Sequence, residues 1–473
     1  MMKRATLILP ALPRLATLST ALFLAGCMNL VPKYERPAAP VAASYGAEAA
    51  TAAGAQAAAD IEWQRYFGDE RLKRLIHIAL KNNRDLRIAI LNIEQARATY
   101  QIRRADELPT VGAGLTAARA ANGSGGVGTS YAAGFAITGY ELDLFGRVRS
   151  LSQSAQAQFL ASEEARKTVQ ISLVAAVAGA HLNLLADDAQ IELTRQTLAT
   201  REDSLKLAKL RFDNGASSEL DYRQSETLLE GARATLAQLQ RQRALDENAL
   251  VLLIGQPLPA DLPAGLPQAG LEQSPALLAG LPSELLERRP DVRAAEQQLL
   301  AANANIGAAR AAFFPRISLT GNAGTASSEL SGLFKSGTWA ITGTAQLLQT
   351  IFDAGRNQSN LDLAKTNREI AVAQYEKAIQ TAFREVADAL AGRATLGEQL
   401  RAQTAVAQAT ETTFRLADLR YRNGAASYLD VLDAQRSLFT ARQAVLQVQT
   451  QQSQNLVALY KVLGGGWKEA APR

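Results

Sequence analysis

The chain uses one unit twice. Asp85-Leu86-Arg87 returns as Asp291-Val292-Arg293, and Arg104-Ala105 with Pro109 returns as Arg310-Ala311 with Pro315, all displaced by 206 positions. Gly146-Arg147 returns as Gly355-Arg356, and the run from Leu210 to Asp221 returns as Leu419 to Asp430, now displaced by 209. A recurrence this extended means a repeated supersecondary unit, so any fold for the chain must carry an internal pseudo-symmetry. The change of displacement falls between Pro315 and Gly355.

In that interval, and in its counterpart from Pro109 to Gly146, the pattern changes from helical to strand-like. Tyr131, Ala133, Phe135 and Ile137 alternate with Ala132, Gly134, Ala136 and Thr138. In the second copy Ile317 and Leu319 alternate with Ser318, Thr320 and Asn322, and Trp339 and Ile341 alternate with Ala340, Thr342 and Thr344. Each copy thus predicts one hairpin, at about 110–142 and 316–352, with Asn122 to Gly126 or the Ser327 to Gly337 stretch as its loop. Strands of about ten residues are long enough to cross a bilayer at a tilt. Four strands cannot close a barrel, because single-chain barrels begin at about eight and an open edge in lipid leaves backbone groups unpaired. Several chains must then share one barrel. The alternative is a soluble pair of hairpins packed on the helices.

Long Ala- and Gln-rich helices are predicted around the hairpins, at Arg147 to Asp213, Leu220 to Ile254, Ala354 to Arg422 and Leu429 to Leu463. Val372, Tyr375, Ile379, Phe383, Val386 and Leu390 keep the three-and-four spacing of a continuous apolar stripe. At 1.5 Å per residue the longest would reach roughly 100 Å, which suits a tube better than a globular domain. A dimeric coiled coil would account for the helices but not for the embedded hairpins. Asn214-Gly215 and Asn423-Gly424, each followed by a new helix start, are expected as helical hairpin tips opposite the strands. The Pro-rich segment from Pro257 to Pro290 joins the copies.

The N-terminus reads as an export signal ending at a lipid-attachment cysteine. Lys3 and Arg4 precede an apolar run from Leu15 to Ala25, and the sequence Leu24-Ala25-Gly26-Cys27 resembles the bacterial lipobox. Cys27 is the single cysteine, so no disulfide within the chain competes for it. Acyl chains there, at about 0.8 kcal/mol per buried methylene, would anchor the mature chain, and Met28 in the next position implies outer-membrane sorting. No other apolar run of about 20 residues is expected, which leaves any further crossing to strands. Removing Lys3, Arg4 and Arg14 from the 50 basic residues leaves 47 against 45 acidic ones, too balanced for a nucleic-acid binder. His77 and His181, the two histidines, have no second ligand at metal spacing, and no cofactor beyond the covalent lipid is expected.

Six stretches carry a family resemblance: Cys27 to Pro37 (CMNLVPKYERP), Trp63 to Arg87, Glu141 to Arg147 (ELDLFGR), Leu281 to Glu296, Gly307 to Thr320 and Val431 to Ala441. In these the chain resembles the TolC-like outer-membrane factors of tripartite efflux pumps, in their OprM-like lipoprotein branch. The resemblance implies a mainly helical chain with membrane β structure, and a homotrimer whose shared 12-stranded barrel continues into a long α-helical barrel. It divides the chain into a signal peptide (1–26), a lipidated segment (27–61), two efflux repeats (62–256 and 284–463), a linker (257–283) and a tail (464–473). It also implies a passive duct rather than an enzyme, lodged in the Gram-negative outer membrane. The partners it implies are a periplasmic membrane-fusion adaptor and a proton-driven inner-membrane transporter of the resistance-nodulation-division (RND) class.

The same resemblance places the pore gate at Asp430 and Asp433, three apart on one helix face. Six such carboxylates around a trimer axis would repel anions and attract cations. Ser427 and Asp430 also form a capping-box pattern, which would account for the acid without any gate. Asp221 holds the matching place in the first copy, and Tyr421 sits at the family's bridging position, so a Tyr421–Asp221 latch is expected to hold the tip shut. Ala426 stands where some members carry a bridging arginine, with Arg415, Arg420 and Arg422 nearby. The rival functions are a duct for protein secretion, a structural periplasmic coiled coil, and a lipoprotein enzyme acting on the cell wall.

Overall fold

A computed structural model describes residues 29–45, 56–121, 126–265, 277–278 and 288–468. Cys27 and its leader lie outside these residues, as do the loop at 122–125, much of the predicted linker and the last of the tail.

The two copies fold alike. Helices α1 (Glu70–Asn82) and α2 (Arg84–Ala105) lead to strands β1 (Val111–Ala121) and β2 (Val127–Leu142), then to α3 (Arg147–Asp213) and α4 (Glu219–Ile254). The second copy supplies α5 (Pro290–Ala311), β3 (Arg316–Ser327), β4 (Trp339–Leu348), α6 (Arg356–Arg422) and α7 (Tyr428–Val462). α2 and α5 have 22 residues each, α3 and α6 have 67 each, and α4 and α7 have 36 and 35, which is the predicted pseudo-symmetry. α3 starts at Arg147 as predicted, and the starts of α4, α6 and α7 differ from the predicted ones by a residue or two because local caps decide them. Asp143 accepts from the Arg149 N–H at 2.7 Å and Asp353 from the Asn357 N–H at 2.8 Å, each carboxylate closing the open first turn of a long helix.

The chain divides into two compact units. One holds residues up to 38, 92–163 and 294–375, and the other holds 39–91, 164–293 and 376 onward. The first contains a four-stranded antiparallel sheet in the order β1-β2-β3-β4. Both predicted hairpins form. The pairing of β2 with β3, which unites the copies, carried no local sequence signal.

In the same unit the segment from Leu30 to Arg36 runs antiparallel along α5. Arg310 donates to the Leu30 carbonyl at 3.2 Å, Asn303 to the Pro32 carbonyl at 2.8 Å, and Arg36 and Tyr34 both bond Glu296. Gly307 leaves room for this strap, since a Cβ there would lie 2.7 Å from Ser150 Oγ and 3.0 Å from Val31 Cα.

The second unit has a core of Tyr66, Phe67, Leu72, Leu75, Ile76, Leu182, Leu250, Ile254 and Tyr460, all essentially inaccessible. Each aliphatic side chain buried this fully contributes about 1.5–3 kcal/mol. The rings of Tyr66 and Tyr460 stack at 3.9 Å, and their hydroxyls donate to the carbonyls of Leu456 and Ile61. One expectation is corrected here. α3 does hold a stretch that is long and apolar enough, by length and composition alone, to cross a membrane. Val174, Val177, Ala178 and Leu182 in it are buried within the protein, and His181 places Nε2 3.0 Å from Asp69 Oδ2, so this run is apolar because it is core.

Candidate functional site

Two surfaces hold the residues that the sequence singled out. The first is the sheet, whose register sorts its residues onto two faces. One face carries the rows Ala113, Phe135, Ala323, Ile341 and Leu115, Ala133, Thr325, Trp339, with Val111 beside Ile137. The other carries Gly112, Ala136, Asn322, Thr342 and Gly114, Gly134, Gly324, Ala340, with Thr320 beside Thr344. The alternations seen separately in each copy therefore fall in phase across the whole sheet. Leu115, Phe135, Trp339 and Ile341 are each at least 60% exposed in the single chain. A contiguous apolar face of this kind is unfavourable in water and suits hydrocarbon.

Every residue of β1 and β4 is exposed, and the outer edge of each presents unpaired backbone N–H and C=O groups. Such edges are excluded from lipid unless further strands close them. A register shift between Ile137 and Tyr140 then returns Tyr140 and Leu142 to the apolar rows and puts Glu141 beside Ser318. There Glu141 accepts both fork nitrogens of Arg147 at 2.8 Å and Arg316 Nε at 2.6 Å, fixing the start of α3 to the sheet. Midway along the sheet, Gly134 faces Gly324 so closely that a Cβ on Gly134 would lie 2.6 Å from the Gly324 Cα and closer still to the Ala323 carbonyl oxygen.

The second surface is the pair of helical tips. Gly215 and Gly424 turn the chain with φ of +67° and +72°, a left-handed angle that side-chain-bearing residues adopt at a cost. Asn214 and Asn423 each donate back to a helix carbonyl at 2.7 Å, and Ser218 and Ser427 each open the next helix with a capping box. Within that second box Asp430 accepts from the Ser427 N–H at 3.1 Å, so it does cap the helix. Asp433 lies 3.3 Å from Arg436. Both aspartates are exposed, at the N-terminal end of α7.

Asp221 is tied into the Ser218 box, and Tyr421 lies under Arg211, whose guanidinium is 4.7 Å from the ring centroid. Among the described residues no hydrogen bond joins Tyr421 to Asp221. The hairpins of the two copies meet instead at Tyr428, which sequence reasoning missed. Its ring lies 5.0 Å from that of Tyr421, its hydroxyl accepts from Ser225 at 2.9 Å, and it is buried with Ala208, Val431 and Leu432. Burial pushes its hydroxyl above the ordinary tyrosine range, so it stays protonated. The available signal was a break in the repeat, since Tyr428 stands just after the cap where the first copy has Glu219. Arg420 donates to the Ala425 carbonyl and Arg422 pairs with Asp418, so both serve their own hairpin.

Cys27 lies outside the described residues. The strap nevertheless brings Leu30, three positions later in the chain, to Arg310, near the end of the helix that feeds β3.

The model of the family described as outer membrane efflux protein matches residues 75–256 and 281–465. The chain is 47% identical over 462 residues to the antibiotic efflux pump outer membrane protein ArpC of Pseudomonas putida, covering 95% of each. It is also 47% identical over 465 residues to the outer membrane protein OprJ of Pseudomonas aeruginosa, covering 96% of each. The fold is similar to the open-state MtrE outer membrane channel of Neisseria gonorrhoeae, with a TM-score of 0.85 and 42% identity over 94% of this chain and all of that one.

Proposed function

This chain belongs to the outer membrane efflux protein family, and from that membership we propose that it is the passive exit duct of a tripartite, RND-type efflux system for antibiotics and other small molecules. It is a transport conduit of the outer membrane, not an enzyme. The observation that carries the reading is the sheet. Four strands with one apolar face, one small and polar face and two open edges make a section of a shared barrel, and three chains would supply twelve strands. The polar face would line the passage.

The remaining parts follow from this assignment. Asp430 and Asp433 form the pore gate, where exposed carboxylates of three chains converge into an electrostatic filter. Tyr421 and Asp221 belong to the latch, acting through the packing around Tyr428 rather than by a direct bond within one chain. Cys27 carries the lipid, which the course of the strap supports. A membrane-fusion adaptor and an inner-membrane RND transporter complete the assembly, and the energy comes from the transporter. The proposed domain plan has divisions at 26, 61, 256, 283 and 463.

The test is accumulation of a fluorescent pump substrate in cells lacking this chain, with the wild-type gene restored as control. Higher accumulation that is reversed on restoration is expected. Unchanged accumulation of several dyes, together with loss of an exported protein, would instead identify a secretion duct.

A further inference from the structure

In the second unit, α3, α6 and α7 border a half-open cavity of about 600 Å³, within the size range of small-molecule sites. Arg201 lines it from α3 and is 94% buried, its residual exposure being 6%. Its Nη1 donates to the Leu228 carbonyl at 2.8 Å and its guanidinium rests 5.2 Å from the Phe439 ring centroid, but its Nε has no hydrogen-bond partner. Arg415 lines the same cavity. Among the described residues neither arginine forms a salt bridge, because Glu411, the cavity's carboxylate, is held by Arg442 at 3.0 Å. The neighbouring Arg436 adds further positive charge and is turned to Asp433. A buried guanidinium without a counter-charge is costly, and burial together with Arg436 holds the Arg201 pKa below its ordinary value. Gln435 lines the same cavity from α7, and its buried acceptor Oε1 is a second atom without a hydrogen-bond partner. Phe414, Leu438 and Phe439 supply an apolar wall.

We propose that this cavity binds an amphiphilic organic anion, a carboxylate that also bears a hydroxyl or amide donor. Its acid group would lie on Arg201 and Arg415, its donor on Gln435 Oε1, and its apolar body against Phe414, Leu438 and Phe439. The carboxylate neutralises the cationic wall, and with a small rotation of each side chain the ligand gives Arg201 Nε an acceptor and Gln435 Oε1 a donor.

Calorimetric titration of the purified assembly with 6-hydroxy-2-naphthoate, and in parallel with its neutral amide, tests the proposal independently of transport. The acid is expected to bind at least tenfold more tightly than the amide, and sulfate is expected to compete with it. Arg201→Gln should abolish the preference and Arg201→Lys should keep part of it. Should Arg201→Gln fail to assemble, Thr197→Trp fills the cavity with the arginine in place and should remove acid binding. Equal affinity for acid and amide, no binding of either to intact protein, or wild-type acid affinity in Arg201→Gln or Thr197→Trp would overturn it.

Discussion

Arg36 grips Glu296 with two parallel bonds of 2.8 and 3.0 Å, and Tyr34 adds a third to the same carboxylate at 3.0 Å. Residues 260 positions apart are thereby joined, and the strap that follows Cys27 in the chain is fixed to α5. The Glu296 side chain is only 11% exposed, so its partners cannot be replaced by water without loss. Glu296→Gln is expected to weaken the strap by about 1–3 kcal/mol. Limited proteolysis should then cut within residues 29–45 faster than in the wild type, and an unchanged cutting rate would show that the strap is held by its other contacts.

Asp187 on α3 gives the second unit a pH dependence of predictable sign. Burial, then a hydrogen bond that its protonated carboxyl donates to Asp246, and the charges of Asp246 and Asp188 push its carboxyl up from 3.8 to about 7, against the opposing pull of Arg243. The native chain keeps a proton that the unfolded chain releases near pH 3.8, so this site favours folding in acid and its contribution falls as pH rises toward 7. Asp187→Asn should flatten that part of the curve. Heat-unfolding midpoints at pH 5 and pH 8 check it, with the wild type losing several degrees more than the variant.

The glycine contact in the sheet discriminates between two superficially equal substitutions. Gly134→Ala would drive a methyl into the Gly324 backbone, whereas the space around a Cβ at Gly114 in the same row is open. Gly134→Ala is expected to lower the yield of assembled protein severely, and Gly114→Ala to leave it near wild type, as read on gels without heating.

For the proposed gate, Asp430→Asn combined with Asp433→Asn should raise single-channel conductance and reduce cation preference. An asparagine at 430 can still cap the helix after Ser427, so the change removes charge while leaving the turn intact. Currents identical to the wild type would remove both residues from the gate.

Much of this architecture was legible because it is local and repeated. The predicted long helix from Arg147 to Asp213 is the observed one, and both hairpins fall inside their predicted limits, since period-two alternation and capping serines act over a few residues. What was not legible depends on long-range packing. The β2–β3 pairing joins strands from different copies, and the strap along α5 is fixed by contacts such as Asn303 to Pro32, 271 positions apart. The apolar run around Val177 reads as core only once its neighbours are in place. At the tip, the capping role of Asp430 was visible in the spacing from Ser427, but the bridging role of Tyr428 required the fold that brings it to Ser225, 203 positions away.

If this sheet is one third of a closed barrel, the assembled protein must be a trimer. Native mass spectrometry of the purified protein released from lipid nanodiscs counts the chains directly, and its mass also reports any acyl groups on Cys27. Three lipidated chains in a single species are the predicted result. A folded species of one or two chains, stable in lipid, would contradict the account, because its open or differently closed strand edges would then need another explanation.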